Sequence, residues 1–376
     1  MNRNLLRELI EPILNTPTGP FHEDHVASFV AETVRGTGLT MSTDTFGNIL
    51  VRRPSAGRNN LRIGFMAHMD HPAFEVIEQL EGAVRVAWHG GVDAEYFPQA
   101  RVRFHSPGNP CTGEIREVEL EEARNRVKTA VVACDPPPSV GTLATWELPS
   151  VEVTNGVLRA PAVDDVAGCG LLLALLLELG DRPLETEVWT LFTRAEEVGF
   201  VGAIGLARSG RLPVSTPVVS VEMSKATAGV TQGMGPVIRL GDRSSIFDAM
   251  FVLFMKDVAS DLKGRIEGFK YQQAMMEGGS CEATALNLFG YRTAGLAVPL
   301  TNYHNQRPSG PSGPFVIDSE EIAINDFANA VDLCVGMCER FRGLDAIRSG
   351  HRSKAVERAA EGLQRLERME RARTRR

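Results

Sequence analysis

At 376 residues, 43% of them hydrophobic, the chain is long enough to bury a substantial core, and its length points to two domains. No stretch approaches the roughly 18 consecutive apolar residues that span a bilayer, and the first residues, MNRNLLRELIEPIL, are charged where a secretory signal needs an unbroken apolar run. A cytoplasmic location is expected, with no membrane partner. The net charge of −7 hides an asymmetry: nine basic and four acidic residues give 352–376 a charge of +5 and leave about −12 for the rest, and an acidic body argues against nucleic acid as a partner. Six cysteines without a CxxC pair fit reduced thiols better than a disulfide framework or a zinc ribbon.

In chain order, 4–14 and 25–37 read as amphipathic helices separated by the turn-rich NTPTGPFHED. His22 and His25 are three residues apart, not the four of HExxH, and are read as structural or exposed. The segment 41–52 reads as a hairpin turning over 44–48, and LRIGFMA (61–67) as a buried strand. AHMDH follows at its end. Alternation along an extended chain sends His68 and Asp70 to the same side, where Asp70 can accept the second imidazole N–H of a metal-bound His68. His71 falls on the opposite face and is left out. From 73 to 156 the chain changes character, with short strands broken by Gly and Pro turns, as expected of an inserted all-β module. The stiff DPPPSV (135–140) is its expected return hinge.

The stretch 160–202 organises the remainder. Asp164 and Asp165 precede an apolar run of helical length (168–179), whose positive end favours carboxylates. Glu196 and Glu197 fall just past the carboxyl end of EVWTLFT (187–193), a buried strand, where open α/β sheets place their sites. PVVSV (217–221) is another buried strand, ending in Glu222, and GGSCEATALN (278–287) reads as a glycine turn opening a helix. AGLAVPL (294–300) is a last strand, followed at once by TNYHNQ with His304. A Gly/Pro-rich loop (308–314), an amphipathic helix over 320–341 and a charged tail over 353–376 complete the chain.

An Asp pair is commonly a helix cap, and a Glu pair a solvated loop. With His68, Asp70, Glu222 and His304 added at other strand ends, the set becomes a metal-site inventory. Two divalent ions a few Å apart need a shared carboxylate plus one His and one further carboxylate each. Asp164 would bridge, His68 and Glu222 would complete one site, and Glu197 and His304 the other. Glu196, beside a ligand without being one, would take a proton from the water that the ions acidify.

The motifs AHMD, VDD followed by Gly168, EEVGFVGA, VEMS, QGMGP, GGSCEA and NYHN together resemble those of the M42 family of zinc or cobalt aminopeptidases, in the dimetal exopeptidase clan that includes M20 and M28. The resemblance runs to about residue 345. A long insertion between His68 and Asp164, with none comparable between Glu222 and His304, is similar to M42, whereas M20 enzymes place their lid in the second interval. Three departures bear on substrate more than on metal: Val166 where M42 members usually carry Arg, Glu222 in place of the commoner Asp, and Glu282 within GGSCEA in place of the Asp of GGTDA. The resemblance implies a mixed central sheet flanked by helices (1–72 and 157–348), an inserted β domain (73–156) serving oligomerisation and substrate access, and a charged tail (349–376). It further implies two divalent ions per subunit, zinc first with cobalt or manganese as alternatives, an aminopeptidase acting on peptides, and a homo-oligomer, often a dodecamer. The competing expectations are an M20-like deacylase or dipeptidase acting on N-acyl amino acids or related amides, and an inactive assembly or binding protein that keeps the fold.

Overall fold

The computed structural model describes residues 5–57, 60–106, 108, 111–121, 125–307 and 314–374. The expected loop 308–314, apart from Pro314, and Asn4 at the start of the first helix lie outside them. Four parallel strands, in the order Glu187–Thr193, Arg62–His68, Val218–Lys225 and Thr293–Thr301, form the centre of an eleven-stranded sheet. Their sequences are nearly continuous apolar runs because helices cover both faces. The hairpin Thr40–Thr43 and Ile49–Arg53 extends one edge; Glu320–Ala323, Val157–Ala160 and Glu152–Thr154 extend the other. Val237–Asp242 lies antiparallel to Thr293–Thr301 and brings Gln272–Met276 with it. The helix Val166–Leu179 is apolar on every side and almost wholly buried, as a helix sealed within a core must be. Among the described residues no helix is long and apolar enough to cross a membrane.

The inserted unit is a closed six-stranded barrel, in the order Ala73–Leu80, Ala83–His89, Val127–Ala133, Cys111–Leu120, Arg101–Phe104 and Leu143–Trp146. Closure leaves no strand edge unpaired. Its interior is aromatic, with Phe74 4.5 Å from Trp88 and 4.8 Å from Trp146, ring centre to ring centre. Two expectations are corrected here. DPPPSV is not the return hinge, since the chain goes on to add Leu143–Trp146, the strand that closes the barrel. Glu152–Thr154 pairs with Val157–Ala160 in the large sheet, so the expected span 73–156 is longer than the barrel.

Two further elements differ from the sequence reading. The helix expected from 320 begins at Ile324, because Glu320–Ala323 pairs first with Val157–Ala160 and with Leu300 and Thr301. The charged tail belongs to one 30-residue helix, Leu344–Arg373. Leu344 and Ile347 pack on the core and His351 reaches Asp257 at 2.6 Å. Beyond His351 the described part of the helix is exposed except at Ala360.

The barrel sits against the N-terminal segment across a cavity lined by Thr16, Thr18, Arg103, His105, Thr145 and Trp146, among others. Burial, then the charges of Arg103 and His25, push the His105 imidazole down to about 4, and its Nε2 lies 2.9 Å from Thr145 Oγ1. Folding therefore favours neutral His105. The associated stability is present above the ordinary value near 6.5 and is lost as pH falls from there toward 4. Denaturant midpoints of wild type and His105→Gln, compared at pH 7 and pH 5, should show the smaller acid loss in the variant.

Candidate metal centre

Strand register brings the first two candidate ligands together. Met66 pairs with Ser220 across adjacent parallel strands, so two residues further on His68 and Glu222 stand side by side on the same face. Both are buried. His68 Nδ1 lies 3.1 Å from the Asp70 main-chain oxygen and 3.4 Å from its carboxylate, which turns Nε2 toward Asp164 Oδ1 at 3.7 Å and Glu196 Oε2 at 3.9 Å.

Asp164 and Asp165 enter from the start of the helix Val166–Leu179. Asp165 accepts the His68 backbone N–H at 3.2 Å and so supports the strand end. Its carboxylate lies over Gly168, where a Cβ would come within 2.1 Å of Oδ1. The Gly after VDD is thus a space requirement.

Glu196 and Glu197 sit in a tight corner between strand and helix, with Ala195 and Phe200 in the left-handed region. Three buried side chains hold it. Asp70 accepts the Glu196 and Glu197 N–H groups at 2.9 and 3.0 Å. Glu23 accepts the Ala195 N–H at 2.9 Å and pairs with Arg194 at 2.7 Å, while Asn48 bridges the Arg194 N–H and the Gly202 carbonyl. Asp70 therefore serves the glutamate loop as much as the imidazole. The FHEDH segment matters through its glutamate, not its histidines.

His304 follows the strand Thr293–Thr301 in a loop with Asn302, His304 and Asn305 all left-handed, at φ 56°, 53° and 63°. Such conformations cost of order 1–3 kcal/mol each where the side chain gives no relief. Glu320 stabilises the arrangement, accepting the N–H groups of Val163, Asp164 and His304 at 2.7, 2.9 and 2.8 Å. One carboxylate thus ties the Asp164 turn to the His304 loop. Glu320→Ala should cost about 3 kcal/mol or more in denaturant unfolding, from three lost charge-assisted bonds at a buried position.

One donor atom each from His68, Asp164 and Glu222, and likewise from Asp164, Glu197 and His304, lies within 4.8 Å of the others. Asp164 belongs to both groups. A third such group, His68 with Glu196 and Glu197, also exists. His304 Nε2 is 3.6 Å from Asp164 Oδ2 and 3.0 Å from Glu197 Oε1. The shorter contact lacks hydrogen-bond geometry, and Asp164 Oδ1, Glu197 Oε1 and His304 Nε2 are buried without a partner among the described residues. Such atoms are costly unless something satisfies them, and imidazole nitrogen with carboxylate oxygen is a donor set that suits divalent metal. The charges point the same way. Burial is the main cause that holds Glu196 and Asp165 well above the usual carboxylate range and pushes Glu222 up to about 7 and Glu282 to about 8. Burial opposes charge on His68 and His304, yet Glu196 and Asp70 around the first, and Glu197 and Asp164 around the second, carry both well above 6.5. The pocket has an excess of negative charge that cations would relieve.

His71, excluded in the sequence reading, is buried behind Asp164. Its Nδ1 meets the Asp164 carbonyl and its Nε2 lies 3.0 Å from Asn305 Oδ1. Glu320, Glu23, Asn48 and Asn305 also went unnoticed. Glu23 and Asn48 lie far in sequence from the residues they support, and no local pattern marks them.

The family model described as M42 glutamyl aminopeptidase matches residues 138–308. Three solved structures share the fold. A TET aminopeptidase from a marine-sediment Thaumarchaeota archaeon has a TM-score of 0.76 at 20% identity, covering 91% of this chain and 99% of its own. An aminopeptidase of Desulfurococcus kamchatkensis has 0.73 at 21%, with 91% and 96% covered. The Pyrococcus horikoshii TET1 peptidase, described as assembling into a tetrahedron or a large octahedral shell, has 0.73 at 22%, with 89% and 100% covered.

Proposed function

We propose that the chain, which the M42 glutamyl aminopeptidase model matches over the stretch that holds Asp164, Glu196, Glu197, Glu222 and His304, is a dimetal aminopeptidase acting on peptides. Asp164 with His68 and Glu222 would hold one divalent ion, Asp164 with Glu197 and His304 would hold a second, and Glu196 would be the general base. The carrying observation is the buried set Asp164 Oδ1, Glu197 Oε1 and His304 Nε2, without partners among the described residues. Zinc is the proposed ion, with cobalt and manganese suited to the same donors. When bound, the ions would acidify water and polarise the scissile carbonyl. The Glu196 carboxylate takes the proton of the attacking water and returns it to the leaving amine. Asp70 holds Glu196 and Glu197 through their N–H groups and keeps the His68 ring turned toward Asp164.

A panel of aminoacyl chromogenic substrates with Zn²⁺, Co²⁺ or Mn²⁺ tests the reading. Cleavage of free-amine substrates and not of their N-acetylated forms is expected. Turnover of N-acyl substrates alone would replace it with an M20-like deacylase, and a protein that binds no metal and turns over nothing would be an assembly or binding protein.

The protein works as a homo-oligomer, with a dodecamer as the proposed form. The barrel supplies contacts, as does the C-terminal helix, which exposes Val356, Leu363, Leu366 and Met369. Six unpaired cysteines accord with the reducing cytoplasm. Light scattering at micromolar concentration gives the mass; a monomer refutes the assembly, and an unchanged mass after removal of the helix refutes its part in it.

A further inference from the structure

The residue that turns His304 toward the site belongs to the inserted barrel. Gly91, in the loop after the barrel strand Ala83–His89, places its carbonyl 2.9 Å from His304 Nδ1. A carbonyl only accepts, so Nδ1 carries a hydrogen and Nε2 is the nitrogen turned to the site. Two further bonds dock the same loop on the same segment: the Asp93 N–H donates to Gln306 Oε1 at 3.1 Å, and the Tyr96 hydroxyl to the Arg307 carbonyl at 3.2 Å. The Tyr96 ring also packs edge-on to Phe315 at 5.1 Å.

The root of the barrel makes a second connection. His71, two residues before the first barrel strand Ala73–Leu80, contacts the Asp164 carbonyl with one ring nitrogen and Asn305 with the other. Asn305 in turn donates to the carbonyls of Pro161 and Asp318 at 2.8 and 3.2 Å. Its amide nitrogen is committed there, which leaves its oxygen for His71. The loop holding His304 has three left-handed non-glycine residues, a shape that persists only where its surroundings impose it. The barrel and its root supply a large part of that constraint.

We propose that the barrel is a positioning element for the second metal site: its docking through Gly91, Gln306 and Tyr96, together with the His71–Asn305 pair, holds His304 and Asp164 in place, so that barrel docking and binding of the second ion are linked. By linkage, each must strengthen the other. The inference rests on the proposed role of His304 as a ligand.

The test uses the full chain carrying Gln306→Ala with Tyr96→Phe, substitutions that remove barrel contacts and no proposed ligand. Competition titration with a zinc indicator should show one of two ions bound at least about tenfold more weakly, in the range seen for loss of a ligand's outer partners, and the other unchanged. Gln306→Glu, which keeps the acceptor for the Asp93 N–H, should restore the affinity, and His71→Ala should weaken it. Amide exchange over 91–96 and 304–307 should slow on adding metal to wild type and slow less in the double variant. Wild-type affinity for both ions in the double variant, or exchange in 304–307 that metal does not alter, overturns the proposal. His304→Ala separates the two ideas: if it loses an ion while the double variant does not, only the linkage fails, and if it binds both ions as wild type does, the ligand assignment fails with it.

Discussion

Replacing Glu196 by glutamine is expected to lower kcat by about 10²- to 10⁴-fold, the usual contribution of a general base, while both metal ions stay bound. Glutamine keeps the length and shape of the side chain but cannot accept a proton. The backbone that carries it should not move, because residue 196 is fixed through its N–H on Asp70 and through the Glu23 and Asn48 contacts one and two residues earlier. Burial, then the neighbouring Glu197 and Glu222, hold the Glu196 carboxyl well above its ordinary range. Steady-state kinetics together with metal analysis decide the matter. Turnover within a few-fold of wild type would remove Glu196 as the base, and loss of metal along with activity would make it a ligand.

The parts of the site legible in the sequence are those set by local geometry. His68, Glu222 and His304 each stand at or just past the carboxyl end of an apolar run, and the sheet rule for such ends needs only the pattern of the run. The His-x-Asp spacing put Asp70 beside His68, although the closer acceptor for the ring is the Asp70 main-chain oxygen and the carboxylate is engaged mainly by the glutamate loop. What escaped is long-range. Glu23 reaches across 172 residues to the Ala195 N–H, and Glu320 across 156 to that of Asp164. No periodicity announces either, and a lone Glu in a polar stretch reads as solvated. His71 was excluded by strand alternation, a rule that ceased to apply because the strand ends at His68 and the chain turns before the barrel. The barrel itself was visible as short strands. Its closing member, Leu143–Trp146, was hidden by the proline run before it, which suggests a boundary and is instead a connection within the barrel.

Asp164 is the substitution expected to cost the most metal. It is the one residue shared by both groups, His68 with Glu222 and Glu197 with His304, so Asp164→Ala should take the protein from two ions to none, whereas His68→Ala and His304→Ala should each lose chiefly one. The difference follows from geometry: a bridging carboxylate offsets the repulsion between two divalent charges a few Å apart, and without it neither remaining pair of side chains completes a site. The fold should survive, because among the described residues the Asp164 carboxylate makes no hydrogen bond that holds the turn; the turn is held by its backbone, through the Asp164 N–H on Glu320 and its carbonyl on His71. Removing a buried negative charge from a pocket already crowded with carboxylates should raise the stability of the metal-free chain. The measurement is metal content after dialysis against a weak chelator, with a denaturant curve on the same sample. Two ions retained by Asp164→Ala would rule out a bridging role, and two ions in His304→Ala with one lost in His68→Ala would remove His304 from the second site and leave the first, built on His68, Asp164 and Glu222, standing.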